Sequence, residues 1–262
     1  MSAKDARRRD RFEHFATVAA KEAIQNSGLE ITEKNSGRIG VLVSSALGGL
    51  KSLQDSIIRL EKEGPKRITP FLIPMLMPNG AAGLIGIDHG MKGPAMSVAS
   101  ACASGIDGIG LAWMMLRTGM IDVAVTGASE SVLTRTGIGA FDRINALSTK
   151  SDHSMTPAPF DKNRDGLVMG EGAGILIMER ENHAQTRGAN ILAELAGYAA
   201  TADAFHVTAP SSDGSGGGTA ITNALISAGV NSDEVDYISA HGTATPLNDV
   251  TDFCFAKSGV ID

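Results

Sequence analysis

Apolar and polar positions along the chain follow two different periods. Between residues 11 and 27, Phe12, Phe15, Ala19 and Ile24 recur at roughly helical spacing, and Gly28 supplies a stop. The run "RIGVLVSS" (38–45) is short, apolar and rich in β-branched residues, which predicts a buried strand. Helical period returns over 49–64 with a charged outer face, and "NGAAGLIGIDHG" (79–90) predicts a helix of small residues with Asn79 as its N-cap. A short apolar run at 95–99 leads to Cys102, then to a helix near 104–117 with Ile106, Ile109, Trp113 and Leu116 on one face. Further strands are expected at 122–128, 173–180, 191–200 and 235–240. Strands that alternate with helices imply an α/β domain built on a largely parallel sheet. Phe141 to Gly172 keeps little period, and a loop of that length in a compact domain is usually functional or disordered.

Two stretches share a plan. Residues 21–49 and 222–245 each read as a helix closed by glycine, a polar linker, a β-run and a loop of small residues. That order recurs in any α/β protein, and it is also what a duplicated fold whose second copy begins near residue 216 would show.

Composition narrows the function classes. Of 262 residues, 43% are hydrophobic and 20% charged, which predicts a packed core. The net charge of −6, with no basic stripe, argues against nucleic acid as a partner. The opening "MSAKDARRRDRFEHF" has no apolar run behind it, so no secretory leader is expected. No stretch approaches the ~20 apolar residues of a membrane span. Two cysteines are too few for a disulfide scaffold, which makes the cytoplasm the expected compartment. The six histidines are scattered, with no metal-binding spacing, and no bound cofactor is expected.

The candidate chemistry lies in "GPAMSVASACASGIDGIG" (93–110). Cys102 falls where an apolar run meets a helix, a position at which unpaired backbone N–H groups and the helix dipole favour a thiolate. Ala101, Ala103, Ser104 and Gly105 are small enough to leave it open. Gly105, Gly108 and Gly110 each cost roughly 1 kcal/mol inside a helix, and close packing around a site would offset that. On these features alone a nucleophile and a buried structural thiol stand equal. A second cluster is "YISAHGTATPLND" (237–249), where His241 can polarise a carbonyl and Thr243 and Thr245 can hydrogen-bond a polar arm. A histidine satisfied within a turn fits equally well. A cysteine hydrolase would need a carboxylate to orient its histidine, and Asp249 is the nearby candidate.

Taken together, "ASACASG", "PFDKNRDGLVMGEGAGILIMER" (159–180), "DAFHVTAP" (203–210) and "AHGTATPLND" (240–249) resemble the elongating β-ketoacyl-acyl-carrier-protein synthases, over about residues 1–250. The resemblance implies a thiolase-like layered αβαβα architecture. Residues 1–215 would form its N-terminal half, without the first strand, and 216–262 the start of the C-terminal half. It implies that Cys102 accepts an acyl chain from acyl carrier protein and that His241 stabilises the enolate of decarboxylated malonyl-carrier protein. Thr243, Thr245 and Thr208 would contact the phosphopantetheine arm, Phe141 would stand beside the acyl pocket, and His206 would lie near the tunnel mouth without a catalytic role. Asp161, Asp165, Gly170, Glu171 and Gly172 would brace the active-site loops. A homodimer would pair central strands near "DVAVTGASES".

The resemblance also implies a lysine, a second histidine in a "GH" motif and a glycine–phenylalanine-rich loop after "PLNDVTD". None of them occurs in "FCFAKSGVID", and Lys257 does not stand in that lysine's context. Weak or absent condensing activity is therefore expected of this chain. The alternative is a non-catalytic partner of a full-length condensing enzyme or polyketide synthase. Such partners tend to lack the cysteine that this chain keeps.

Overall fold

The computed structural model describes residues 1–259; Val260–Asp262 lie outside the described residues. The chain divides into two compact units, Met1–Gly137 with Gly170–Ala193, and Ile138–Met169 with Glu194–Asp262.

In chain order the helices are α1 (Ala3–Ala6), α2 (Arg11–Ser27), α3 (Leu50–Glu63), α4 (Leu72–Leu76), α5 (Gly80–His89), α6 (Ser104–Arg117), α7 (Arg135–Arg143), α8 (Glu181–Thr186), α9 (Ser215–Ala228) and α10 (Pro246–Gly259). The strands are β1 (Ile39–Ser44), β2 (Ala95–Met96), β3 (Val123–Glu130) and β4 (Gly172–Glu179).

The first unit is one sheet with helices on both faces. Its strand order is β2-β1-β3-β4, parallel except for the antiparallel β3–β4 pair. Because side chains alternate along a strand, β1 feeds both layers. Ile39, Val41 and Val43 join Val123 and Val125 beneath α2 and α5, against Phe12, Ala16, Ala20, Ala82 and Ile85. Leu42 and Ala124 face the other way, onto Ala112, Met115 and Leu116 of α6. Helix α2 begins with a capping box in which Asp10 and Glu13 exchange bonds with each other's backbone. It ends on Gly28 at φ 63°, the left-handed stop that its sequence predicts.

Several expectations are corrected. Segments 191–200 and 235–240 are not strands among the described residues. Their composition suits a sheet, but a strand also needs a ladder partner, and Leu192 and Tyr237 are 90% and 81% exposed. Asn79 does occupy the N-cap of α5, yet its side chain makes no capping hydrogen bond. Helix α6 does not bury Ile106, Ile109 and Trp113; it turns Ser104, Gly108, Ala112 and Met115 inward and leaves Ile106 67% exposed. On α2 the buried row is Phe12, Ala16, Ala20 and Ile24 rather than one through Phe15 and Ala19. Strand β3 is paired on both edges, and the open edges of this sheet belong to β2 and β4.

In the second unit, α9 packs against α10. Helix α9 ends on Gly229 at φ 68° and is followed by a 3-10 turn at Ser232–Glu234, so the helix–glycine–linker order of residues 21–38 recurs. The strand expected to follow it does not form.

Candidate active site

The cysteine corner belongs to the first unit. Strand β2 runs into residues 97–103, and α6 starts two residues past Cys102, which is exposed. Ala101 takes φ 52°, a left-handed conformation that costs a residue with a β-carbon about 1–2 kcal/mol. The turn is held from within. Ser104 Oγ accepts from Ser100 N at 2.9 Å and donates to the Ala101 carbonyl at 2.6 Å, while the Ser100 hydroxyl donates to the Asp107 carboxylate. Two backbone N–H groups of the corner are also engaged, Ala103 N on Ser100 O and Ser104 N on Ala101 O, both at 3.1 Å. Ser104 is therefore buried scaffolding rather than open approach, and fewer donors remain at the corner than its sequence suggests.

Close packing holds the corner against the sheet. A β-carbon on Gly108 would stand 2.4 Å from Ser44 Oγ, so α6 approaches β1 more closely than alanine permits. A further brace of the same unit is Glu171, which receives Ser131 Oγ at 2.9 Å and forms an ion pair with Arg11. The Arg11 bond, followed by that from Ser131, holds the Glu171 carboxyl below its usual range.

The histidine loop belongs to the second unit. His241 is exposed, Gly242 takes φ 55°, and Ala244 is fully buried at φ 62°. The hydroxyls of Thr243 and Thr245 lie 2.9 Å apart, and Thr245 Oγ1 also accepts from Asn248 N at 3.3 Å. The first turns of α10 hold this loop. Asp249, 3% exposed, accepts from Ala244 N at 3.0 Å through Oδ1. Asp252 Oδ2 accepts from Gly242 N at 2.7 Å and from Asn248 Nδ2 at 2.9 Å.

The "PFDKNRDG" block docks on the same helix start. Asp249 Oδ2 accepts from Phe160 N at 2.6 Å and lies 3.4 Å from Arg164 Nε. Arg164 in turn donates from Nε to Thr245 O at 3.1 Å and from Nη2 to Pro246 O at 2.9 Å. Asp161 caps its own turn through Asn163 N, and Asp165 accepts from Ser148 Oγ at 2.7 Å and Thr149 N at 2.8 Å. Those bonds, that of Ser148 first, lower the Asp165 carboxyl below its ordinary value. The acids of this block thus hold loops together.

The structure brings Thr243 and Thr245 together with Asp249 beside His241 in sequence. Phe141 is half-buried on α7, and Thr208 is exposed on an irregular segment, where its backbone N–H donates to His206 Nδ1 at 3.1 Å. Cys102 lies in the first unit, and Phe141, Thr208, His241, Thr243 and Thr245 lie in the second. Sequence reasoning missed Arg164 and Asp252 altogether and considered Asp249 only as a partner for histidine. The available signal was the position of Asp249 and Asp252 in the opening turns of the helix that follows the HGTAT loop.

The exposed cysteine lies on a strand-to-helix corner of the first unit, and the braced HGTAT loop belongs to the second. Residues 1–184 match the N-terminal domain of β-ketoacyl synthases and residues 192–257 the C-terminal domain, and the chain belongs to the β-ketoacyl synthase family. It is 44% identical over 249 residues to 3-oxoacyl-[acyl-carrier-protein] synthase 2 of Staphylococcus aureus, covering 95% of this chain and 62% of that protein. The enzyme of the same name from Vibrio cholerae is 41% identical over 253 residues, 96% of this chain and 61% of its own length. Among solved structures, a β-ketoacyl synthase from Burkholderia phymatum superposes with a TM-score of 0.91 at 32% identity, over 99% of this chain and 64% of that one. A type II polyketide ketosynthase in complex with its acyl-carrier protein gives 0.90 at 34% identity, over 94% and 62%. The fold is thiolase-like, and the chain spans about 62% of the length of the curated relatives it matches. No helix among the described residues is long and apolar enough to cross a membrane.

Proposed function

We propose that the chain carries the acyl-loading and enolate-stabilising groups of a β-ketoacyl-acyl-carrier-protein synthase of fatty-acid biosynthesis, acting in the cytoplasm. The Cys102 thiolate attacks the acyl thioester on the phosphopantetheine arm of acyl carrier protein. The carrier leaves as its thiolate, and the acyl chain stays on sulfur. Malonyl-carrier protein then loses carbon dioxide, and its enolate oxygen accepts a hydrogen bond from His241. Attack of the enolate carbon on the Cys102 thioester forms the new carbon–carbon bond and releases the thiolate. Thr243 and Thr245 hydrogen-bond the arm, Thr208 lines its path, and Phe141 borders the acyl chain.

The observation that carries this reading is the exposed Cys102 on a corner held by Ser100, Ser104 and Asp107. Similarity to the Staphylococcus and Vibrio proteins, both 3-oxoacyl-[acyl-carrier-protein] synthase 2, supports the reaction and the carrier protein. The expected assembly is a homodimer joined along the open edge of β2, since an unpaired edge is a ready template for a second copy. Decarboxylation of malonyl-carrier protein tests the role of His241. H241A should lower the rate about 10²–10³-fold, the usual effect of removing one such donor. An unchanged rate removes His241 from the mechanism. A non-catalytic partner subunit would leave Cys102 unacylated in every mixture.

A further inference from the structure

The first turn of α2 meets the end of α4 through two oxygens that lack donors. Glu13 is fully buried; its Oε2 accepts from Asp10 N at 2.7 Å, and Oε1 has no hydrogen-bond partner among the described residues. The second oxygen is the carbonyl of Pro74. Its helical donor would be the N–H of residue 78, which is a proline and has none, and Met77 N donates one residue earlier, to Ile73 O. Both oxygens converge on Gly80, where an added β-carbon would lie 2.2 Å from Glu13 Oε1 and 2.7 Å from the Pro74 carbonyl. Two acceptors turned to one place leave each other unsatisfied, and a buried acceptor without a donor is costly. A single proton on Oε1 makes the carboxyl a donor and satisfies both.

We propose that Glu13 holds its proton on Oε1 and donates it to the Pro74 carbonyl, forming a latch between α2 and α4 that opens when the carboxyl ionises. On opening, the proton passes to solvent and two acceptors again face the same gap. Burial raises the pKa of Glu13 to about 7, so the latched form predominates below neutral pH. The charges that act on Glu13 are those of Asp10, which adds to the rise, and Arg9, which opposes it. Other ionisable groups around the latch are engaged elsewhere. Asp10 accepts from Ser52 N and Ser52 Oγ of α3, and Arg9 pairs with Asp88 of α5. His14 of α2 contacts Ala6 O, and His89 stands at the end of α5 opposite Gly80. Glu130 of β3 accepts from Ala46 N, Glu179 of β4 pairs with Arg187, and Glu171 pairs with Arg11. The latched segment itself, residues 72–80, contains no ionisable side chain. Once open, α4 keeps the bond from Gly49 N to Leu76 O at 3.1 Å but loses this tie to α2. The inference stands apart from the function proposed for Cys102 and His241.

Hydrogen exchange on the full chain at pH 6 and pH 8 tests the latch, with the amides of β1 as the reference for the general rise of exchange with pH. In the parent, protection of the Met75, Met77 and Gly80 amides should fall at least tenfold relative to β1 between the two values. In E13Q the side-chain amide can donate to the Pro74 carbonyl at any pH, so the same amides should stay protected at both. E13L supplies no donor, and its segment should exchange at pH 6 as the parent's does at pH 8. An infrared band of a protonated carboxyl, present in the parent at pH 6, lost at pH 8 and absent from E13Q, should accompany the change. Protection of residues 75–80 that keeps a constant ratio to β1 in the parent would overturn the proposal. So would the absence of a protonated-carboxyl band that E13Q removes. If E13L does not fold, the comparison of parent with E13Q decides alone.

Discussion

Residue by residue, the described part of the chain contains a carboxyl whose environment works against its charge. Glu13 is fully buried at the first turn of α2. Its Oε2 accepts from Asp10 N at 2.7 Å, and Oε1 has no hydrogen-bond partner among the described residues. Burial raises its pKa to about 7; the Asp10 N–H bond and Arg9 pull it down, and the Asp10 charge adds to the rise. The native state therefore keeps a proton that the unfolded chain gives up near pH 4.5. Stability from this group is complete below that value, declines as pH rises, and is gone above about 7. A shift of that size is worth about 3 kcal/mol. E13Q should abolish this dependence, so urea midpoints of parent and variant should diverge, to the variant's advantage, between pH 5 and pH 8. An equal difference at both values would contradict it. Nothing in "RFEHF" announces such a group. A glutamate three residues past Asp10 reads as a capping box, and the burial of its second oxygen depends on Gly80, 67 positions away in the chain, where a β-carbon would meet Oε1 at 2.2 Å. Cys102 and His241, by contrast, stand inside contiguous small-residue motifs and could be read directly. Arg164 and Asp249 could not, because the atoms they bind lie some 80 residues apart.

At the scale of elements, α6 shows where hydrophobic periodicity misleads. The large residues Ile106, Ile109, Trp113 and Leu116 mark a face, but of these only Leu116 is buried, and the helix turns the smaller Ser104, Gly108 and Ala112 inward because contact with β1 is close. The three glycines of this helix were the better guide, since the cost of Gly108 is explained by its distance to Ser44. G108A should lower stability by about 1–3 kcal/mol, although alanine favours the helix by roughly 1 kcal/mol, because the added methyl overpacks the contact. Ser44 Oγ cannot simply rotate away without leaving Val98 N, which donates to it at 3.3 Å. Combining G108A with S44A should recover part of the loss in chemical denaturation. A double variant as destabilised as the two single changes together would disprove the contact. The strands expected at 191–200 and 235–240 fail for a related reason, because composition reports what a segment would tolerate on a sheet, not whether a neighbour offers it a ladder.

For the whole molecule, the two units differ in how much they bury. The first has a sheet covered on both faces, with β1 wholly buried. The second contains residues 201–209, irregular and mostly exposed, with Val207 at 92%. Hydrogen exchange on the full chain should therefore find the amides of β1 and β3 slowest and those of 201–209 fastest, by several orders of magnitude. Uniform protection would contradict that division. Cys102 belongs to the first unit and His241 to the second, so under the proposed function loading and enolate stabilisation would draw on different parts of the chain. The central claim, that Cys102 is an acyl acceptor, is tested most directly by intact-mass spectrometry after incubation with acyl-carrier protein. One acyl group per chain, localised to Cys102 and lost in C102A, is the predicted result. An unmodified Cys102 in a mixture where another condensing enzyme becomes acylated would contradict it.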